Sequence, residues 1–160
     1  MSSALQRPHV LIVSDDVGLA SFLGEGLIYQ GLWTSVIASA LQTLEVFRLR
    51  SFDAAIVDAA LRGLGAADLI ARLRSSASDA GDSDTSRADI PIFVIAEKEN
   101  EIESAGIDRS QITRVLLAPI ELHELAQVIS EEIDTWRRDH PDRPWADAFL
   151  LETSRARSAS

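Results

Sequence analysis

The sequence predicts an α/β fold in which a five-stranded parallel sheet carries helices on both faces. Three observations predict it. Five short, largely apolar runs, at residues 9–13, 32–37, 54–57, 90–96 and 113–117, recur along a chain of 160 residues. The clearest, His9-Val10-Leu11-Ile12-Val13 and Ala54-Ala55-Ile56-Val57, lack the alternation of a sheet with one wet face, as expected of strands buried on both sides. Between the runs lie stretches whose apolar residues return at helical spacing. Strands that alternate with helices pair in parallel through right-handed crossovers, which distribute the helices over both faces of the sheet.

The first run follows Pro8 and ends at Ser14-Asp15-Asp16. From Val17 to about Gln30, the residues Leu19, Phe22, Leu23 and Leu27 form a helical stripe; Gly18, Gly24 and Gly26 lower its intrinsic propensity, and Gly31 is placed to close it. Residues 32–37 read as the second strand. Ser39 is placed to cap a helix that presents Leu41, Leu44 and Phe47. Phe52-Asp53 then turns into the third strand, which delivers Asp58. Gly63 and Gly65 mark the loop after it, and Leu69, Ile70 and Leu73 share a face of the next helix. Residues 75–89 are polar and aperiodic, and read as a long mobile surface loop. In the fourth strand, residues 90–96, Pro91 sits near the start, where a missing donor is tolerated. Residues 97–106 form a weakly periodic acidic helix. The fifth strand ends at Ala118-Pro119. In the last helix Leu122, Leu125, Ala126, Ile129, Ile133 and Trp136 line one face, behind Glu121 in the first turn.

Composition narrows the function. With 46% apolar residues the chain can build a full core, and with no cysteine it has no disulfide, thiolate metal site or cysteine nucleophile. A formal charge of −10 argues against a direct grip on nucleic acid, because phosphate contacts need concentrated Lys and Arg. No apolar stretch reaches membrane-spanning length and the N-terminus lacks a signal-peptide pattern, so a cytoplasmic protein is expected. Neither a GxGxxG run nor a GxxxxGK[ST] loop is present, which weakens nucleotide-binding readings. His9, His123 and His140 share no metal-ligand spacing. No serine has a recognisable His and Asp relay, and Ser14 reads as a turn residue.

Asp58 organises the candidate site. In a sheet ordered 2-1-3-4-5 the first and third strands are neighbours, so Asp15, Asp16 and Asp58 converge at one carboxyl edge, where open α/β sheets place their chemistry. Three carboxylates so close repel one another unless a hard cation joins them, and an all-oxygen set with room for water suits Mg²⁺. Such a site allows Asp58 to attack a phosphoryl donor.

Over roughly residues 8–136 the chain resembles the receiver domain of bacterial two-component response regulators. The resemblance rests on Val10-Leu11-Ile12-Val13-Ser14-Asp15-Asp16, on Ala54-Ala55-Ile56-Val57-Asp58-Ala59-Ala60-Leu61, on Pro91-Ile92-Phe93-Val94-Ile95, and on Leu117-Ala118-Pro119-Ile120 with Glu124-Leu125. It implies a flavodoxin-like doubly wound (βα)5 sandwich. It also implies that Asp58 is the phospho-acceptor, that Asp15 and Asp16 are the acidic pair holding Mg²⁺, and that the backbone carbonyl of Ala60 completes the metal site. The family's hydroxyl residue at the end of strand four falls on Ala96, its lysine before the proline after strand five on Ala118, its aromatic switch position on Val115, and its loop proline on Arg62. Lys98, the only lysine, reads as a surface residue among Glu97, Glu99 and Glu101.

Two readings follow. In one the chain is an atypical stand-alone receiver in a phosphorelay, paired with a histidine kinase or phosphotransfer protein. In the other it is a pseudo-receiver that binds an unidentified protein partner, or a second copy of itself, regardless of phosphorylation. A hydrolytic enzyme is disfavoured, since no base besides the carboxylates is evident. Composition shifts near Trp136, so residues 137–160 form a separate C-terminal extension. There Pro141 and Pro144 break the preceding helix, and Trp145 with Phe149 forms a patch on a short helix that needs the core, a twin subunit or a partner to cover it.

Overall fold

The computed structural model describes residues 7–75 and 89–142. In chain order the elements are β1 (His9–Val13), α1 (Val17–Tyr29), β2 (Trp33–Ile37), α2 (Ala40–Leu49), β3 (Ala54–Asp58), α3 (Ala66–Ser75), β4 (Ile92–Ala96), α4 (Asn100–Ser104), a 3-10 turn (Arg109–Gln111), β5 (Arg114–Leu117) and α5 (Leu122–Asp139). The strands form one sheet in the order β2-β1-β3-β4-β5, every pair parallel. This is the flavodoxin-like (βα)5 sandwich that the sequence predicts.

Successive strand residues point to opposite faces, so β1, β3 and β4, buried throughout, each feed two cores. On one face Leu11, Val13, Ala55, Val57, Ile92 and Val94 pack with Phe47 of α2, Leu69, Ile70 and Leu73 of α3, and Ile102 of α4. On the other, Val10, Ile12, Ala54, Ile56, Phe93 and Ile95 meet Leu23 and Leu27 of α1 and Leu125, Ile129 and Ile133 of α5. Each fully buried Leu or Ile in these layers contributes about 1.5–3 kcal/mol. Two glycines that weaken α1 as an isolated helix allow its packing. A Cβ at Gly24 would come within 2.8 Å of Val36 on β2, and one at Gly26 would collide with Leu122 of α5.

Three boundaries differ from the sequence reading. The fourth strand begins at Ile92, after Pro91 rather than including it, because the ladder needs a donor that proline lacks. The acidic helix expected over 97–106 shortens to five residues, with Ile102 alone buried, since there is no apolar stripe to hold a longer helix on the sheet. Glu121 is the N-cap of α5 rather than part of its first turn, and its carboxylate accepts bonds from the His123 and Glu124 amides at 3.2 and 2.7 Å. Most of the loop at 75–89, and the patch residues Trp145 and Phe149, lie outside the described residues.

At the amino edge of the sheet a buried polar group closes the barrel of side chains beneath β1. Asp53 accepts a bond from the His9 amide at 2.8 Å and lies 3.7 Å from the Arg137 guanidinium. The His9 ring contacts the Ser35 hydroxyl at 2.7 Å and packs on Phe52. Burial first, then the nearby Arg50 charge, lowers its pKa to about 4. His9 is therefore a neutral core histidine at pH 7, and it lies at the opposite edge from Asp58. No described helix is long and apolar enough to cross a membrane.

Candidate functional site

Because all five strands run the same way, their carboxyl ends share one edge. The pairing of Val13 with Val57 sets the residues just beyond them, Ser14 and Asp58, side by side. Both are buried, Ser14 being 2% and Asp58 7% exposed. The Ser14 hydroxyl donates to Asp58 Oδ2 at 2.7 Å, and the Ala60 amide donates to Asp58 Oδ1 at 2.9 Å. Burying a carboxylate this far from water costs solvation, and these two donors offset part of that cost.

Asp16 and Asp15 are each employed differently. Asp16 is the N-cap of α1, where Oδ1 accepts from the Leu19 amide at 3.1 Å, while its own amide donates to the Ser14 hydroxyl at 3.1 Å. Asp15 Oδ2 accepts from both the amide and the Nε of Arg62, at 3.1 and 3.2 Å. The Arg62 amide chiefly, helped by its side chain, holds the Asp15 carboxyl below the ordinary aspartate range.

These residues border a cavity of about 540 Å³. Asp15, Asp16, Asp58, Glu97 and Glu101 give its wall five carboxylates, against the single guanidinium of Arg62. Leu19, Ala60, Ile95, Ala96 and Ala118 complete the lining, so the ends of β4 and β5 themselves offer methyl groups, and the oxygen on that side comes from Glu97 and Glu101 beyond β4. Ala118 is joined to Pro119 by a cis peptide bond, and its amide donates to the Ala96 carbonyl at 2.9 Å. Val115, half-buried, packs against the core layer that contains Val94. Lys98 is exposed and does not line the cavity.

The donor chemistry around Asp58 fits a hard cation, being oxygen throughout. The side chains are not gathered for one: among the described residues no three acidic, His or Cys groups come close enough to hold a metal ion. Asp15 would first have to leave Arg62. Asp15, Asp16, Asp58 and Ala60, singled out from the sequence, thus share one cavity, as do the substituted positions Ala96 and Ala118; Val115 does not line it. Sequence reasoning missed the Ser14 contact with Asp58, the Arg62 contact with Asp15, and the presence of Glu97 and Glu101 in the wall. Ser14 precedes the acidic pair and was readable only as a turn residue, since its partner lies 44 positions away.

No protein-family model and no curated protein matches the sequence. Solved structures do. A sensor protein from Polaromonas sp. JS666 is similar at 30% identity, with 81% of this chain and 98% of that chain covered and a TM-score of 0.66. A CheY-like response regulator receiver domain from Methylobacillus flagellatus shares 20% identity over 79% of this chain and 98% of its own, with a TM-score of 0.65. The receiver domain of a sensor histidine kinase from Pseudomonas aeruginosa PAO1 shares 16% identity over 80% of this chain and 98% of its own, with a TM-score of 0.62. The last two establish the fold, and the first carries the likeness into sequence across four-fifths of the chain. Taken with the sheet order and the aspartate at the end of β3, they show that the chain belongs to the CheY-like response-regulator receiver family.

Proposed function

We propose that residues 8–136 act as a cytoplasmic receiver in two-component signal transduction, accepting a phosphoryl group on Asp58 and signalling by protein–protein contact. The observation that carries this reading is the position of Asp58: nine-tenths buried at the end of the central strand, yet lining an open cavity with Asp15, Asp16 and Ala60. The donor would be a phosphohistidine on a histidine kinase or phosphotransfer protein. An Asp58 oxygen attacks phosphorus, the P–N bond breaks, and the departing imidazole nitrogen keeps the bonding pair and takes up a proton. Magnesium, which the Pseudomonas receiver carries in its active site cleft, would be held by Asp15, Asp16, Asp58 and the Ala60 carbonyl and would offset charge on the transferring oxygens.

The lining makes this a slow acceptor. An incoming phosphoryl group meets five carboxylates, and Ala118 has no amine to form a charge-assisted bond with it. Incubation with magnesium and either beryllium fluoride or acetyl phosphate should give an adduct, or an acyl-phosphate mass increase, that Asp58→Ala abolishes. No adduct at any magnesium concentration sinks the proposal.

A second reading is favoured by Ala96 and Ala118 together. With neither hydroxyl nor amine on that side of the cavity, the β4–β5 face has no side chain to pull inward when Asp58 changes state. On this reading the module binds its protein partner, or a second copy, regardless of phosphorylation, through its α4–β5–α5 side or the extension bearing Trp145 and Phe149. Partner binding would survive Asp58→Ala and weaken in Trp145→Ala; the reverse pattern excludes it.

A further inference from the structure

Ser14, whose hydroxyl contacts Asp58, directly follows β1 and leads to α1. Ser14 uses its hydroxyl hydrogen on Asp58 Oδ2 and an oxygen lone pair on the Asp16 amide, at 2.7 and 3.1 Å. Asp16 in turn caps α1 through the Leu19 amide and, with its backbone carbonyl, accepts from the Ala20 amide at 2.9 Å. The Ser14 backbone is fixed separately, its amide donating to the Ile37 carbonyl of β2 at 3.1 Å. A change at Asp58 therefore falls on the hydroxyl rather than on the strand. We infer that Ser14 is a positioning residue that couples the charge state of Asp58 to the N-terminus of α1, a route separate from the alanine-lined β4–β5 side.

The chemistry gives the coupling a direction. The hydroxyl donates to a full carboxylate, and a bond to an ionised acceptor is about twice as strong as one to a neutral acceptor. Donation to that charge also polarises the Ser14 oxygen and strengthens its acceptance from the Asp16 amide. Once Asp58 carries a phosphoryl group as an acyl phosphate, the carboxylate charge shared by Oδ2 is lost, whichever oxygen bears the phosphorus. The Ser14 bond then weakens at both ends, and the α1 cap loosens. The positions at the ends of β4 and β5 have no equivalent: Ala96 and Ala118 connect through backbone bonds alone.

The inference takes Asp58 as the modified group and in that respect rests on the function proposed above, so its test has two arms. Backbone hydrogen exchange is measured at Asp16, Leu19 and Ala20 in the full chain, first with magnesium and beryllium fluoride against magnesium alone, since magnesium by itself would engage Asp16, then in Asp58→Ala against wild type, both without them. In wild type both changes should speed exchange at these amides by about twofold to tenfold, the worth of one hydrogen bond. In Ser14→Ala the cap should already be loose and neither change should add to it; Ser14→Thr should restore the response, and Ser14→Cys, a weak donor, should give a reduced one and serves if Ser14→Ala does not fold. Equal responses in the Ser14→Ala or Ser14→Cys variant and in wild type overturn the inference. If beryllium fluoride gives no adduct while Asp58→Ala still acts on α1 through Ser14, the phosphoacceptor reading fails and the coupling stands.

Discussion

The two sides of the Asp58 cavity differ in chemistry although they are built from the same kind of strand end. On the β1–β3 side the polar side chains are hydrogen-bonded: Ser14 to Asp58, Asp16 to the Leu19 amide of α1, Asp15 to Arg62. On the β4–β5 side Ala96 and Ala118 present carbon, and the short α4 brings Glu101 rather than a cation. The first side is wired and the second is passive. The difference teaches that the acidic side chains and the residues that face them across the cavity sit on different strands, so either set can be altered without the other.

Giving the passive side a cation should produce the largest change. Ala118→Lys places an ammonium at the cavity rim, and a charge-assisted bond worth about 1.5–3 kcal/mol should strengthen beryllium fluoride binding roughly tenfold to a hundredfold. Fluorine NMR titration measures it, and an unchanged affinity would mean that the wall's five carboxylates dominate over a single added charge.

Stability separates the two sides next. Ser14→Ala removes one of two donors to a buried carboxylate and should cost about 1.5–3 kcal/mol in urea unfolding, whereas Ala118→Ser, at an exposed position, should stay within about 0.5 kcal/mol. Similar values for the two would break the contrast.

A smaller effect is expected at Arg62, whose side chain is 84% exposed where it meets Asp15. Surface pairs of this kind are worth roughly 0–1 kcal/mol, so removing the guanidinium by Arg62→Ala, which leaves only the amide at position 62 on Asp15, should tighten magnesium binding by up to about fivefold in calorimetry at low salt. The gain should shrink as ionic strength rises.

The smallest effect concerns acid. Arg62 keeps the Asp15 carboxyl below its ordinary value of 3.8 in the folded chain. A depressed acid contributes stability that is complete above the unfolded value and lost as pH falls through the folded one. Arg62→Ala keeps the amide donor but loses the side chain, so its stability should lie slightly below wild type above about pH 4, by less than the ~1 kcal/mol of such a pair, and should converge with it in stronger acid. A gap that persists at pH 2 would assign the effect to packing.

Local rules account for what the sequence by itself determined. Continuous apolar runs named the strands, helical spacing named the buried faces of α3 and α5 and part of that of α1, where Leu23 and Leu27 are buried but Phe22 is exposed and Ala20 takes the inner face, Ser39 marked the start of α2, and Asp15, Asp16 and Asp58 were placed at one edge because parallel strands end together. The substitutions at Ala96 and Ala118 were legible too, as residues without oxygen or nitrogen in their side chains. Only the tertiary structure decided how the carboxylates are used. The Ser14 bond to Asp58 and the Arg62 bond to Asp15 span 44 and 47 positions, and each depends on strand register and on the path of the β3–α3 loop. Gly24 and Gly26, which read as weaknesses of a helix, became its contact points with β2 and α5 for the same reason. Periodicity along a chain specifies which face a residue takes; which atom it meets there is set by elements that arrive from elsewhere in the sequence.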